Sequence, residues 1–170
     1  MDLKEALINE RSKAQKDEIV NWVGKSESRF NQLFALLMNE DHRIVQRAAW
    51  PLSDCVINNP GFISDKYDEL IAKLQEKGTH DAVKRNITRI LQNVDIPEDY
   101  CGEVMDLAVN FVASPKEAVA IKAFSLTILQ NIAMKYPEIV PEIKLIIGDQ
   151  FDRQTPGFKS RANKFLKAFQ

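Results

Sequence analysis

Residues Asp41–Val56 read DHRIVQRAAWPLSDCV, and Thr79–Val94, 38 residues further on, read THDAVKRNITRILQNV. The register continues through AIKAFSLTILQNI, which ends at Ile132, and PGFKSRANKFLKAF, which starts at Pro156. At this offset Val45 lies over Val83 and Ile121, Leu52 lies over Ile90, Ile128 and Leu166, and Arg47 lies over Arg85 and Arg161. A fixed period of about 20–50 residues marks a solenoid, whose units cannot bury an apolar face alone and bury it against their neighbours. The repeated aliphatic positions are therefore expected to form a continuous core ladder.

Helix period recurs in the segments between these repeats. Phe30, Leu33, Phe34, Leu37 and Met38 are spaced for one helix face, as are Tyr67, Leu70, Ile71 and Leu74. Val104, Leu107, Ala108, Phe111 and Val112 do the same, and so do Ile139, Ile143, Ile146 and Ile147. Each unit thus reads as a first helix followed by a second. Asp41 and Thr79 are natural N-caps for the second helices. Ser114-Pro115-Lys116-Glu117 has the form of a capping box with proline at the first helical position, and Thr155-Pro156 repeats the cap-then-proline order. Gly78 is placed to close a first helix in the left-handed conformation. Pro51, inside a second helix, should remove a hydrogen bond and kink it. The pattern predicts an all-α fold, a right-handed α-solenoid (α-α superhelix) of about four helical hairpins. They form a single domain over residues 1–170, with an N-terminal capping helix within 1–25 and repeats at roughly 26–59, 60–96, 97–136 and 137–170.

Composition narrows the function class. Apolar content of 45% and charged content of 28% are those of an ordinary water-soluble globular protein. A net charge of −1 gives the whole molecule no bulk attraction for nucleic acid or membrane. Cys55 and Cys101 stand apart, in no CxxC or Cys/His cluster, which predicts reduced, buried thiols. MDLKEALINERSKAQKDEIV contains no apolar run of signal-peptide length, and no segment reaches the roughly 20 apolar residues of a membrane span. A cytoplasmic protein is expected.

The Asp-x-x-x-Val-x-Arg-Ala-Ala run at Asp41–Ala49, with Val83-Lys84-Arg85 and Arg161-Ala162 in register, resembles the second helix of HEAT repeats. The resemblance covers about residues 27–170. QRAAWPL, HDAVKRN, AIKAF and GFKSRA are also similar to segments of small bacterial HEAT-like proteins of unassigned activity. It implies a binding scaffold, with first helices on a convex side and second helices lining a concave groove. A more distant architectural similarity is to the HEAT-like alkylpurine DNA glycosylases, which grip DNA with this architecture.

Charge is sorted by helix type. The second helices and their lead-in residues carry twelve lysines and arginines against four acidic residues, a local balance of +8 that leaves −9 elsewhere. Arg47, Arg85 and Arg161 share one repeat position and are expected to form structural ion pairs, with Asp41 and Asp81 as candidate partners. The expected partner-binding residues are Arg43, Lys84, Arg89, Lys122, Lys159 and Lys164. They would present a basic groove to an acidic protein or peptide segment, or to nucleic acid through backbone phosphates alone.

Other candidates are weaker. Trp50 and Asp54, four apart on one helix face, resemble part of the glycosylase constellation of tryptophans and an aspartate; burial of Trp50 in the core is the simpler expectation. His42 and His80 occupy equivalent repeat positions, but no further Cys or His completes a closed metal site. Asn86, Asn131 and Asn163 are possible groove hydrogen-bonders. No GxSxG, HExxH or glycine-rich phosphate loop appears. The sequence therefore predicts a non-enzymatic interaction module without catalytic residues, metal or cofactor.

Overall fold

A computed structural model describes residues 1–39 and 41–170. Among them no strand occurs, and the helices are α1 (Leu3–Asn9), α2 (Lys13–Val23), α3 (Glu27–Asn39), α4 (His42–Asn58), α5 (Tyr67–Gln75), α6 (Asp81–Leu91), α7 (Glu98–Ala113), α8 (Val119–Ala133), α9 (Val140–Gln150) and α10 (Pro156–Ala168). Single 3₁₀ turns at Pro60–Ile63, Pro137–Ile139 and Phe151–Arg153 complete the helical structure. The chain divides into two compact units, Met1–Val94 and Asp95–Gln170. No helix among the described residues is long and apolar enough to cross a membrane.

In the first unit, α3 packs on α4 and α5 on α6, which are two helical hairpins. The second helices pack on one another: α4 touches α6 on one side and α2 on the other. Phe30, Leu33, Leu37, Leu52, Ile63, Leu70 and Ile87 are fully buried between these elements. The expected single capping helix is instead two. The chain breaks at Ser12, whose Oγ accepts from the Gln15 amide at 3.0 Å and so caps α2. Serine followed by glutamine three residues on is a capping-box sequence, and the hydroxyl satisfies an amide that continued helix would have served. Gly24 then closes α2 at φ 52°, a region open to glycine at little cost, with its amide bonded to the Val20 carbonyl.

Helix α4 begins as expected. Asp41 accepts from the Arg43 and Ile44 amides, and these bonds hold its carboxyl below the usual aspartate range. The helix is continuous across buried Pro51, which has no N–H to give the Arg47 carbonyl. At α6 the expected cap is displaced by one residue. His80, not Thr79, is the N-cap: its Nδ1 accepts from the Ala82 amide at 3.0 Å. Thr79 instead donates its hydroxyl to the Lys73 and Glu76 carbonyls at the end of α5, with Gly78 at φ 80° in the intervening turn.

In the second unit, α8 packs against both α7 and α10, and α7 also meets α9. Phe158 and Phe165 of α10 are completely buried; such a ring contributes about 1.5–3 kcal/mol through removal from water. Thr155 caps α10 through the Phe158 amide, with Pro156 as first residue. The capping box expected at Ser114 is not formed. Ser114 ends α7, and α8 starts only at Val119 after Ala118. Lys135 bonds Asp95, and this partner raises the lysine pKa.

Of the repeat ladder, Val45, Leu52, Val83, Ile90, Ile121 and Ile128 are buried. Leu166 is only half-buried, because α10 gives its inner face to Phe158, Ala162 and Phe165.

Candidate functional site

Four helices, α4, α6, α8 and α10, carry ten lysines and arginines and only two acids, Asp54 and Asp81. The helices that precede them in the chain, α3, α5, α7 and α9, carry nine acids against Arg29, Lys73 and Lys144. The contrast is sharpest in the second unit. Helix α7 holds Glu98, Asp99, Glu103 and Asp106 with no cation, and α10 holds Lys159, Arg161, Lys164 and Lys167 with no anion. Charge sorting by helix type thus holds with the observed helix boundaries.

Not every one of these cations is available. In the first unit Arg43 is exposed, and Lys84 and Arg89 are half-buried. Arg47 does not pair with an aspartate. Its Nη1 donates to the Leu7 carbonyl at 2.8 Å and the Ile8 carbonyl at 2.6 Å. These belong to the last turn of α1, where the carbonyls lack helical amides and the dipole favours a cation. Asp41 is spent on its own helix cap. In the second unit Lys164 is exposed, while Lys159 is half-buried, its Nζ bonded to the Asp152 carbonyl at 3.3 Å and 5.6 Å from the Phe151 ring centre. Arg161 donates to Thr127 Oγ1 at 2.5 Å and lies over the Phe124 ring.

Lys122 departs most from expectation. It is 3% exposed, so it belongs to no open basic surface. Its helix α8 is apolar on nearly every side because α7 and α10 both cover it. The Lys122 Nζ donates to Gln150 Oε1 at 2.8 Å and sits 5.9 Å from the Phe158 ring centre. Burial pulls its pKa below the ordinary lysine value, and the charge of Glu117 opposes that shift less strongly.

Trp50 and Asp54 also differ from expectation. Trp50 is not core; it is 36% exposed. Between it and Asp54 comes Lys16 of α2, whose Nζ lies 2.6 Å from Asp54 Oδ2 and 5.5 Å from the Trp50 ring centre. Lys16 also pairs with Asp17 at 2.5 Å, and the two carboxylates raise its pKa, Asp17 first. The Lys16 ammonium thus occupies one oxygen of the Asp54 carboxylate and lies beside the Trp50 ring, so the two residues meet through a cation. Sequence reasoning missed Lys16, although an offset of 38 places it one repeat before Asp54.

The two histidines meet, but face to face. Their ring centres are 5.2 Å apart with planes 24° from parallel. Stacked rings point their nitrogens sideways, and His80 Nδ1 is occupied by the Ala82 amide. No three His, Cys, Asp or Glu among the described residues gather to hold a metal ion. Cys55 and Cys101 are buried free thiols, and burial pushes the Cys55 pKa up to about 11. Asn86 is buried and donates to the Val45 carbonyl at 3.2 Å, tying α6 to α4 instead of facing a partner.

Comparison with known proteins adds one assignment. No curated protein and no solved structure matches the chain. The HEAT repeat domain matches it over residues 3–169. That span takes in every hairpin of the all-helical, α-solenoid fold class described above, and the chain belongs to the HEAT repeat family.

Proposed function

We propose that this protein is a non-enzymatic interaction module that binds an acidic protein segment on its second helices, α4 and α6 in the first unit and α8 and α10 in the second. The observation that carries the reading is the segregation of charge by helix type, ten cations, of which Lys122 alone is buried, and two anions on α4, α6, α8 and α10. HEAT repeat domains generally serve as protein-interaction scaffolds, and membership in the family supports the same role. Arg43, Lys84, Arg89, Lys159 and Lys164 are the proposed contacts. Arg47 and Arg161 are left out of this set because of the carbonyl and hydroxyl bonds they make. Helices already packed on one another within a unit, α4 on α6 and α8 on α10, lose little freedom when a partner docks, so the face of each unit is preorganised. A near-neutral total charge favours a partner read at short range over a polyanion gathered from a distance. A cytoplasmic setting fits the two free thiols.

The test is fluorescence anisotropy with a labelled glutamate-rich peptide, and with short single-stranded and duplex DNA and RNA, at about 50 and 200 mM salt. An Arg43→Glu/Arg89→Glu/Lys164→Glu variant reports on the surface. Peptide binding that weakens with salt and disappears in the variant supports the proposal. Salt-sensitive binding of nucleic acid alone transfers the surface to phosphate backbones. Binding of neither probe at low salt rejects it.

A further inference from the structure

We propose that a cleft in the second unit is a receptor for a single carboxylate group, with the Lys122 ammonium as its anchor. The inference rests on the acidic-segment reading only for the source of that carboxylate, a glutamate side chain of the bound segment. The cleft has a volume of about 340 Å³ and is lined by Lys122 with Pro115, Asp149, Gln150, Arg153 and Gln154.

Lys122 has an incomplete set of hydrogen bonds. An ammonium carries three donors. Lys122 Nζ spends one, on Gln150 Oε1 at 2.8 Å. Glu117 is the carboxylate whose charge acts on it, and that charge does not cancel the effect of burial. Gln150 can offer nothing more. Its Nε2 donates to the Val112 carbonyl at 2.9 Å and the Ile146 carbonyl at 3.1 Å, and its Oε1 also accepts from Gln154 Nε2 at 2.7 Å. The amide is therefore fixed in orientation, and Phe158 closes the other side of the cation. A charge that is 3% exposed and has one neutral acceptor is unfavourable for the free protein. Buried, incompletely paired ionisable groups beside open space are characteristic of binding sites.

The lining also selects the class of ligand. Lys122 and Arg153 against Asp149 leave one net positive charge, which suits one carboxylate better than a doubly charged phosphate. Arg153 is exposed and uses Nη2 on the Asp149 carbonyl at 2.7 Å, so other guanidinium donors remain at the rim. A carboxylate has two oxygens, one for the buried ammonium and one for the rim. Its charge would also reverse the downward pull of burial on the Lys122 pKa.

The experiment follows the Lys122 side-chain Cε resonance by NMR in the full chain. Three probes are titrated: a glutamate-rich peptide, the same peptide with glutamine throughout, and free glutarate. The expected result is a Lys122 shift with the glutamate peptide alone at matched concentration. Lys122→Met should weaken that peptide about tenfold or more, the loss of one charged hydrogen bond, with far-ultraviolet circular dichroism unchanged. Peptide binding that leaves Lys122 unmoved and is equal in wild type and Lys122→Met overturns the inference and leaves the wider reading intact. A Lys122 shift with glutarate and no peptide binding anywhere supports the carboxylate receptor and rejects the acidic segment as its source. No shift with any probe overturns the inference. If Lys122→Met does not fold, the wild-type resonance decides the matter alone.

Discussion

Replacing Lys122 by methionine should make this protein more stable. The wild-type ammonium is 3% exposed and rests on one hydrogen bond to a neutral amide at 2.8 Å and the Phe158 ring at 5.9 Å. The hydrogen bond contributes about 1.5–3 kcal/mol and the ring about 1–2 kcal/mol. Against them stands the desolvation of a full charge, several kcal/mol even after relaxation. Methionine keeps the length of the stem, removes the charge and places sulfur near the Phe158 ring, a contact of about 0.3–1.5 kcal/mol. Gln150 Oε1 is not orphaned, because Gln154 Nε2 still donates to it. The net gain should be about 1–2 kcal/mol, or roughly 2–8 °C in Tm for a chain of this length. Differential scanning calorimetry at pH 7 reads it directly. The pH dependence supplies a second readout. The folded-state pKa of Lys122 lies below its ordinary value. Between the two, the unfolded chain binds more protons, so the wild type gains stability as pH rises through that window. The penalty is complete below the folded-state pKa and gone above the unfolded one. The advantage of Lys122→Met should therefore shrink from pH 7 toward pH 10.5. A variant destabilised by 1 kcal/mol or more, or an advantage that grows with pH, refutes the reasoning.

Further outcomes follow from single contacts. Arg47→Met removes both donors to the last turn of α1, and amides of α1 should exchange about tenfold faster while those of α8 are unchanged, by hydrogen-exchange mass spectrometry. His80→Leu removes the cap on the Ala82 amide and should lose about 1 kcal/mol, whereas His80→Asn, a good N-cap, should recover most of it in urea unfolding. With its pKa at about 11, Cys55 holds only about 0.1% thiolate at pH 8, so its alkylation in the folded protein should be slower than in the urea-unfolded chain by more than a hundredfold.

The periodic part of the fold was open to sequence reading because each repeat position samples one environment. Val45, Val83 and Ile121 are all buried, as are Leu52, Ile90 and Ile128. What was lost lies where one side chain has two possible duties. Thr79 and His80 can each accept an amide bond; the chain uses the imidazole there and turns the hydroxyl back onto α5. Ser114 heads a plausible capping box but closes α7 instead. The size of Trp50 suggests core, yet the residue is exposed and the Lys16 ammonium lies over its ring. Lys122 differs from its expected exposure for another reason. Periodicity gives the face of a helix but not how many neighbours cover it, and α8 is covered by both α7 and α10. Its repeat equivalent Lys84 is only half-buried.

Hydrogen-exchange mapping of the full chain with a glutamate-rich peptide tests the central claim most directly. The account predicts slowed exchange along α4, α6 and α10, around Arg43, Arg89 and Lys164, that vanishes when the peptide's glutamates become glutamines. Protection confined to α3, α5, α7 and α9, or equal protection by the glutamine peptide, would contradict it.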